Sequence, residues 1–209
     1  MSRKELEIER KKEEIIKAAE DLFFTIGFDG TSMDEISKNS EFSKRTVYKY
    51  FFSKEELYAT IAYRGLCVLK DLIENELNSS TNISEAMHKM SKSLMKLHKS
   101  NKNYPRAISG LLSIISRSSS DGIYLKKCIE TLNGIFDLLK EILRRGIKDG
   151  SIKKDIDINK TVYSIQMIFA GIYSINKNIF KFVKIKEDDI TFEEIFEYNF
   201  NLIIMAIKK

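Results

Sequence analysis

The chain has 209 residues, of which 43% are hydrophobic and 31% are charged. This is the balance of a folded globular protein, and it excludes an intrinsically disordered chain. One proline and nine glycines, with abundant Lys, Glu, Ile and Leu, favour an all-α fold. No apolar run approaches the roughly 18–20 residues needed to span a bilayer, and the N-terminus is densely charged, so we expect a cytoplasmic protein with no membrane partner.

The net charge of +5 is unevenly distributed along the chain. Residues 1–57 contain 11 Lys and Arg against 13 Asp and Glu, whereas residues 58–209 contain 24 against 17. Within the acidic N-terminal part, residues 42–54 carry four basic residues and no acidic one. Because binding to a polyanion depends on the charge of one face, this local +4 is more informative than the total.

The first 57 residues predict three helices and the start of a fourth. Apolar residues between Ile8 and Ile26 recur at helical spacing, and Gly27 and Gly30 interrupt the pattern. The following helices are predicted to begin at polar caps, two of them with a glutamate three residues later as in a capping box. These caps are Ser32 with Glu35, Ser43, and Ser53 with Glu56.

The remainder of the chain predicts a series of longer helices joined by short polar loops. Their approximate ranges are 54–77, 83–97, 105–116, 123–148, 158–179 and 192–207. The total is about nine helices, without sequence repeats or alternating strand segments. Since no Pro/Gly-rich linker is found, we expect a boundary at 57/58 that is bridged by the long fourth helix.

Residues 31–57 have the pattern of a helix-turn-helix followed by a further helix start. The second short helix places Lys44, Arg45, Thr46, Tyr48 and Lys49 within six residues. A short helix rich in donors, with an aromatic residue among them, is suited to the major groove of DNA. We therefore predict that this unit binds duplex DNA.

Three motifs resemble the TetR family of transcriptional regulators: GFDGTSMDEI, SKRTVYKYF and SKEEL, spread over about 50 residues. The resemblance implies an N-terminal helix-turn-helix domain, residues 1–57, and a C-terminal ligand-binding and dimerisation domain, residues 58–209. It also implies phosphate contacts by Tyr48, by Lys54 at the start of the fourth helix, and by Thr31 or Ser32. The full set of implied DNA-binding residues is Thr31, Ser32, Lys44, Arg45, Thr46, Tyr48, Lys49 and Lys54.

Two features depart from the family pattern. Glu41 occupies the turn position that is usually glycine, where a left-handed conformation carries a strain of about 1 kcal/mol. Asp34 and Glu35 lie on the second helix, where many relatives have a basic residue. Both features are expected to weaken or tune the contact with DNA.

The resemblance further implies a homodimer through the last two helices and a small-molecule effector in the central helices. Apolar residues on several faces of 158–179 and 192–207 fit a dimer, although a buried core helix has the same pattern. The abundance of methionine and aromatic residues in the central helices favours a hydrophobic effector. Candidate lining residues, each of which also fits an ordinary core position, are Met87, Met90, Leu94, Tyr104, Leu132, Phe136, Phe169 and Tyr173.

No phosphate loop, nucleophile motif or metal-spaced cluster is found, so neither an enzyme nor a cofactor is predicted. His88 and His98 stand ten residues apart, which does not favour a metal site, and Cys67 and Cys128 are isolated thiols. We predict a ligand-responsive regulator that binds a palindromic operator as a homodimer, with repression as the family default. The alternatives are an activator or a helical protein-interaction module.

Overall fold

The computed structural model describes residues 2–117, 122–174 and 191–209, and these ranges form nine helices. The helices are α1 (Arg3–Thr25), α2 (Met33–Asn39), α3 (Lys44–Tyr50), α4 (Lys54–Asn78), α5 (Ile83–Ser100), α6 (Asn103–Arg117), α7 (Ile123–Asp149), α8 (Ile158–Ser174) and α9 (Phe192–Ile207). Within the same ranges, β pairing is limited to an isolated bridge between Ile152 and Lys208. The predicted all-α fold is confirmed, and the end of the helix predicted to reach residue 179 lies outside the described residues.

The N-terminal helices begin at caps that are visible in the sequence. The Ser32–Glu35 capping box is confirmed, because Glu35 N donates to Ser32 Oγ and Ser32 N donates to the Glu35 carboxylate. Helix α1 starts at Arg3, five residues earlier than the apolar pattern predicted, because Ser2 and Glu5 form a capping box there. The cap thus extends α1 into a charged segment that contributes nothing to the core.

Of the two hydrogen bonds in the capping box predicted at the start of α4, one is present and the other is wrong. Ser53 caps the helix by accepting from Glu56 N at 3.1 Å. The Glu56 carboxylate does not return to its own cap but accepts from Tyr124 N at 3.0 Å, at the start of α7. This buried glutamate therefore satisfies a helix terminus on another element.

Helix α4 is the centre of the molecule. Its 25 residues span about 37 Å, and it packs against α1 at one end and against α5, α6 and α7 along its length. The N-terminal core is formed by α1, α2 and α3 around Ile15, Phe23, Ile36 and Val47, which are almost fully buried. Because buried residues of α4 belong to one hydrophobic cluster with those of α1–α3 and of α5–α7, this helix connects the N-terminal helices to the rest of the protein.

The remaining helices close the C-terminal part. Helix α8 packs against α6 and α7, and α9 packs against α5 and α8. Helix α7 ends at Gly150, whose φ of 82° is the left-handed conformation of a helix C-cap. Within the described ranges, no helix combines the length and the apolar character that crossing a membrane requires.

Candidate DNA-binding surface and effector cavity

Buried apolar side chains and a side-chain hydrogen bond hold the two helices of the helix-turn-helix together. Val47 and Ile36 pack α3 against α2, and Ser37 Oγ donates to the carbonyl of Phe42 at 2.5 Å across the turn. Glu41 has a φ of 59°, so the predicted left-handed turn residue is confirmed. Buried apolar contacts and one hydroxyl thus fix the orientation of α3 on the surface.

The outer face of α3 presents most of the side chains that the sequence assigned to DNA. Lys44, Arg45, Tyr48 and Lys49 are exposed, with half of the Tyr48 surface accessible to solvent. Thr46 is half-buried, and its hydroxyl shares a hydrogen bond with that of Ser43 at 2.9 Å. An exposed helix face that carries such donors is of the kind that enters a major groove.

The charge of this face is smaller than the sequence total of +4. Lys44 Nζ lies 2.6 Å from an Asp34 carboxylate oxygen, in an exposed pair of the kind that contributes little to stability and opens easily. For Arg45 and Lys49, no carboxylate among the described residues lies within ion-pair distance, and Lys49 Nζ lies 5.8 Å from the ring of Tyr50. Arg45 and Lys49 are therefore the cations most directly available to a phosphate or a base edge.

Two of the side chains that were predicted to contact DNA phosphates form hydrogen bonds within the protein. Thr31 is buried, and its hydroxyl donates to the carbonyl of Gly27 at 2.8 Å, so its side chain does not lie on the predicted surface. Lys54 Nζ donates to the carbonyls of Phe28 and Thr31 at 3.0 and 3.1 Å, and it lies 4.4 Å from the centre of the Phe28 ring. Ser32 is exposed beside them, at the cap of α2. The loop between α1 and α2 is thus fixed by Thr31 and Lys54.

Several contacts connect the N-terminal helices to the C-terminal part. Arg64 on α4 makes a two-point ion pair with Glu13 on α1. Tyr58 packs on Phe23 and Phe28, and its hydroxyl donates to the carbonyl of Arg106 on α6 at 3.4 Å. Burial raises the pKa of Tyr58 to about 12.

A cavity of about 200 Å³ lies between the central helices. Its described lining is apolar apart from Ser109 and Gln166. The structure brings six of the eight candidate residues to it, and they are Met87, Met90, Leu94, Leu132, Phe136 and Phe169. Tyr104 does not line the cavity, because it packs at the close approach of α6 to Gly65 of α4. The side chain of Tyr173 lies outside the described residues.

Other lining residues were not singled out from the sequence. They include Leu69 and Ile73 of α4, Ile135 of α7, and Phe196 and Phe200 of α9. Each of these residues belongs to the apolar face of its helix. The spacing of apolar residues does not reveal which of them line a cavity. The rings of Phe169, Phe196 and Phe200 form one wall, with centroid separations from 5.3 to 6.3 Å.

A helix-turn-helix joined through one long helix to a bundle with an apolar cavity defines the class of DNA-binding transcriptional regulators. The model for bacterial regulatory proteins of the tetR family matches residues 15–61, and that for the C-terminal region of YsiA-like proteins matches residues 65–206. The chain belongs to the TetR family of transcriptional regulators. As the sequence predicted, this is a family of regulators and not of enzymes.

Two relatives from Bacillus subtilis (strain 168) match most of the chain. The HTH-type transcriptional regulator YhgD is 26% identical over 150 residues, 71% of this chain and 74% of the relative. The fatty acid metabolism regulator protein is 23% identical over 159 residues, 76% of this chain and 78% of the relative. The solved structure of FadR from Bacillus subtilis, in complex with stearoyl-CoA, is 18% identical and has a TM-score of 0.70 over 94% of this chain and 99% of that chain. The last comparison shows the same fold.

Proposed function

We propose that this chain is a repressor that binds a palindromic operator as a homodimer and is released by an effector with a long aliphatic tail. Residues 1–57 bind the duplex, and residues 58–209 hold the effector and form the dimer. The observation that carries the proposal is the position of α4. The same helix contributes Leu69 and Ile73 to the cavity and is fixed by Lys54 to the α1–α2 loop.

The DNA-binding part of the proposal rests on the exposed face of α3. Arg45 and Lys49 supply charge, while Tyr48 supplies a hydroxyl and an aromatic surface. One recognition helix reads only a few base pairs, so useful specificity requires two half-sites and therefore a dimer. The Lys54 ammonium already donates to two carbonyls, which leaves one N–H for a phosphate. We therefore assign the principal phosphate and base contacts to α3.

The dimer is supported by exposed apolar stripes on the last two helices. Tyr163 and Met167 stand four residues apart on α8 and are more than half exposed. On α9 the exposed set is Tyr198, Leu202 and Met205, again at helical spacing. Adjacent exposed stripes of this kind are typical of an interface between subunits.

The effector is assigned from the chemistry of the cavity. A lining that is almost wholly apolar favours a hydrocarbon chain over a polar or charged group, which would lose its hydration without compensating partners. The relatives support the same class, since one is a fatty acid metabolism regulator and another fold neighbour was solved with stearoyl-CoA. A fatty acyl group, carried as its thioester, therefore fits best.

Release follows from the geometry of α4. An acyl chain that separates α4 from α5 and α7 tilts the helix whose N-terminus fixes the α1–α2 loop. In a dimer, such a tilt changes the distance between the two recognition helices, so effector and operator affinities are reciprocally coupled. The coupling energy is expected to be about 1–3 kcal/mol, the usual range for allosteric coupling between two sites.

Selection of duplexes from genomic DNA, followed by binding measurements at several salt concentrations, tests the proposal. We expect a palindromic site, with affinity that falls steeply as salt rises because phosphate contacts release counterions. Arg45→Ala should weaken binding to that site by about 10–100-fold. Palmitoyl-CoA should release the wild-type protein, whereas acetyl-CoA, which has no long tail, should not.

The control for Arg45→Ala is Arg144→Ala, which removes an exposed arginine from the C-terminal half of α7. Equal operator affinity for the two variants would refute the assigned surface. Operator binding that persists in saturating palmitoyl-CoA would refute the effector while leaving the DNA surface intact.

A further inference from the structure

One polar side chain, that of Gln166, occupies a core position of α8 and lines the effector cavity. Gln166 follows the buried Val162 by four residues and precedes Phe169, another lining residue, by three. Residues at these spacings share one face of a helix. The exposed residues of α8, Tyr163 and Met167, lie on a different face. The amide therefore belongs to the side of α8 that faces the interior of the protein.

The polar residues of the lining are confined to one side of the cavity. Helices α4, α5, α7 and α9 contribute only apolar side chains among the described residues. The second polar residue, Ser109, lies on α6, which packs against α8. The cavity thus has a polar side, formed by α6 and α8, and is otherwise apolar.

The side-chain amide of Gln166 offers two N–H donors and one carbonyl acceptor. Within the described ranges, no hydrogen bond joins this amide to another residue. By contrast, the buried Thr60 hydroxyl donates to the carbonyl of Glu56 at 2.8 Å. A polar side chain that stabilises a core is normally bonded in this way. The described fold therefore makes no use of the hydrogen-bonding groups of Gln166.

An unpaired amide has different consequences for different effectors. The cavity of about 200 Å³ has room for several water molecules, each of which occupies about 30 Å³ in the liquid. A hydrocarbon chain that displaces water from the amide leaves its donors unpaired, and this loss opposes binding. An effector that brings an oxygen atom to Gln166 avoids the loss.

We propose that Gln166 is a specificity-determining residue, whose Nε2–H donates a hydrogen bond to the acyl carbonyl oxygen of the effector. This inference rests on the proposed function and adds to it the part of the effector that the cavity recognises. The carbonyl is the oxygen that every fatty acyl thioester carries on its acyl group, and it accepts hydrogen bonds without donating any. A site that pairs with such a group discriminates against an analogue that lacks it.

Calorimetry on the full-length protein without DNA tests this assignment with two ligands. They are palmitoyl-CoA and S-hexadecyl-CoA, a thioether in which a methylene group replaces the carbonyl. The test variant is Gln166→Met, which removes the amide but keeps an unbranched side chain of similar volume. The control variant is Asn159→Leu, which removes an amide from an exposed position of the same helix.

The wild type should bind palmitoyl-CoA about two- to tenfold more tightly than S-hexadecyl-CoA, the net effect of one hydrogen bond. Gln166→Met should abolish this preference, because it weakens binding of the thioester and leaves that of the thioether equal or stronger. Asn159→Leu should keep the preference of the wild type.

Infrared spectroscopy of palmitoyl-CoA, isotope-labelled at the thioester carbonyl, gives a second readout that does not depend on affinity. A hydrogen bond to the oxygen weakens the C=O bond. The stretching frequency of the bound carbonyl should therefore be lower in the wild-type complex than in the Gln166→Met complex. A change in packing alone would not shift this band.

Two results would overturn the inference, and the first requires no variant. The wild type would bind palmitoyl-CoA and S-hexadecyl-CoA with equal affinity, or the preference for palmitoyl-CoA would survive in Gln166→Met. If the wild type bound neither ligand, the proposed effector class itself would be wrong, which is a separate failure.

Discussion

At the scale of single residues, the turn of the helix-turn-helix contains a strained position. Glu41 has a φ of 59°, a conformation in which a side chain costs about 1 kcal/mol relative to glycine. Its side chain is exposed, so the strain is not offset by burial. The strained residue lies between the two helices that orient the DNA-binding face.

Glu41→Gly should therefore raise the free energy of unfolding by about 1 kcal/mol, because glycine adopts the left-handed conformation without a steric penalty. Chemical denaturation without DNA measures this effect. The reverse substitution is the control: Gly27→Ala places a side chain at a φ of 88° and should destabilise the protein by a similar amount. A destabilised Glu41→Gly variant would contradict the argument and would assign the glutamate side chain a stabilising contact.

The residue scale also shows where sequence reasoning succeeds. Glu41 could be predicted because the turn lies at a fixed offset within a local motif. The partners of Lys54 could not, since its ammonium binds carbonyls 23 and 26 residues away. The buried position of Thr31 likewise depends on how the α1–α2 loop folds back, and its sequence neighbours do not reveal this.

At the scale of helices, the junction of α4 with α7 is fixed by one buried carboxylate. Glu56 accepts from Tyr124 N in the first turn of α7, whose own N-cap residue, Gly122, provides no side-chain cap. A side chain at position 122 would collide with Glu56, since its Cβ would lie 2.3 Å from a carboxylate oxygen. A few residues further on, Cys128 Sγ donates to the carbonyl of Ala59 at 3.2 Å, and burial raises the pKa of this thiol to about 12.

Removal of this cap should weaken the interface between α4 and α7. Glu56→Ala leaves the part-buried N–H of Tyr124 without its acceptor and should lower the free energy of unfolding by about 1–3 kcal/mol. Glu56→Gln keeps an acceptor but removes the charge at the helix terminus, so a smaller loss of about 0.3–1 kcal/mol is expected. Urea denaturation measures both, with Glu55→Ala at the adjacent position as the control. Equal stability of Glu56→Ala and Glu55→Ala would disprove the cap.

The helices themselves were largely predictable, because capping residues and apolar spacing act over three or four positions. The confirmed capping box at Ser32 illustrates this range. The same pattern failed at Glu56, whose carboxylate accepts a hydrogen bond from a backbone N–H 68 residues away and not from its own cap. The cavity could be predicted only in part for the same reason. The apolar face of each helix that lines it follows from the sequence, but the way these faces pack against one another does not.

At the scale of the whole molecule, the proposed mechanism depends on a second copy of the chain. Gly171 follows Met167 by four residues, so it continues the exposed stripe of α8. Among the described residues, no heavy atom lies within 4 Å of the position that a Cβ would take at Gly171. A large side chain therefore fits the isolated subunit there, but it would separate two helices that meet across a dimer interface.

Gly171→Trp should accordingly leave the subunit folded and abolish the dimer. Sedimentation should give a dimer for the wild type at micromolar concentration and a monomer for the variant, with the helical circular dichroism unchanged. Operator affinity should fall toward the non-specific level, because a single recognition helix cannot span two half-sites. Gly134→Trp is the matched control, since Gly134 is also a glycine within a helix but faces Lys70 of the same chain. A dimeric Gly171→Trp variant would place the interface elsewhere, and a monomeric wild type would defeat the mechanism of two half-sites.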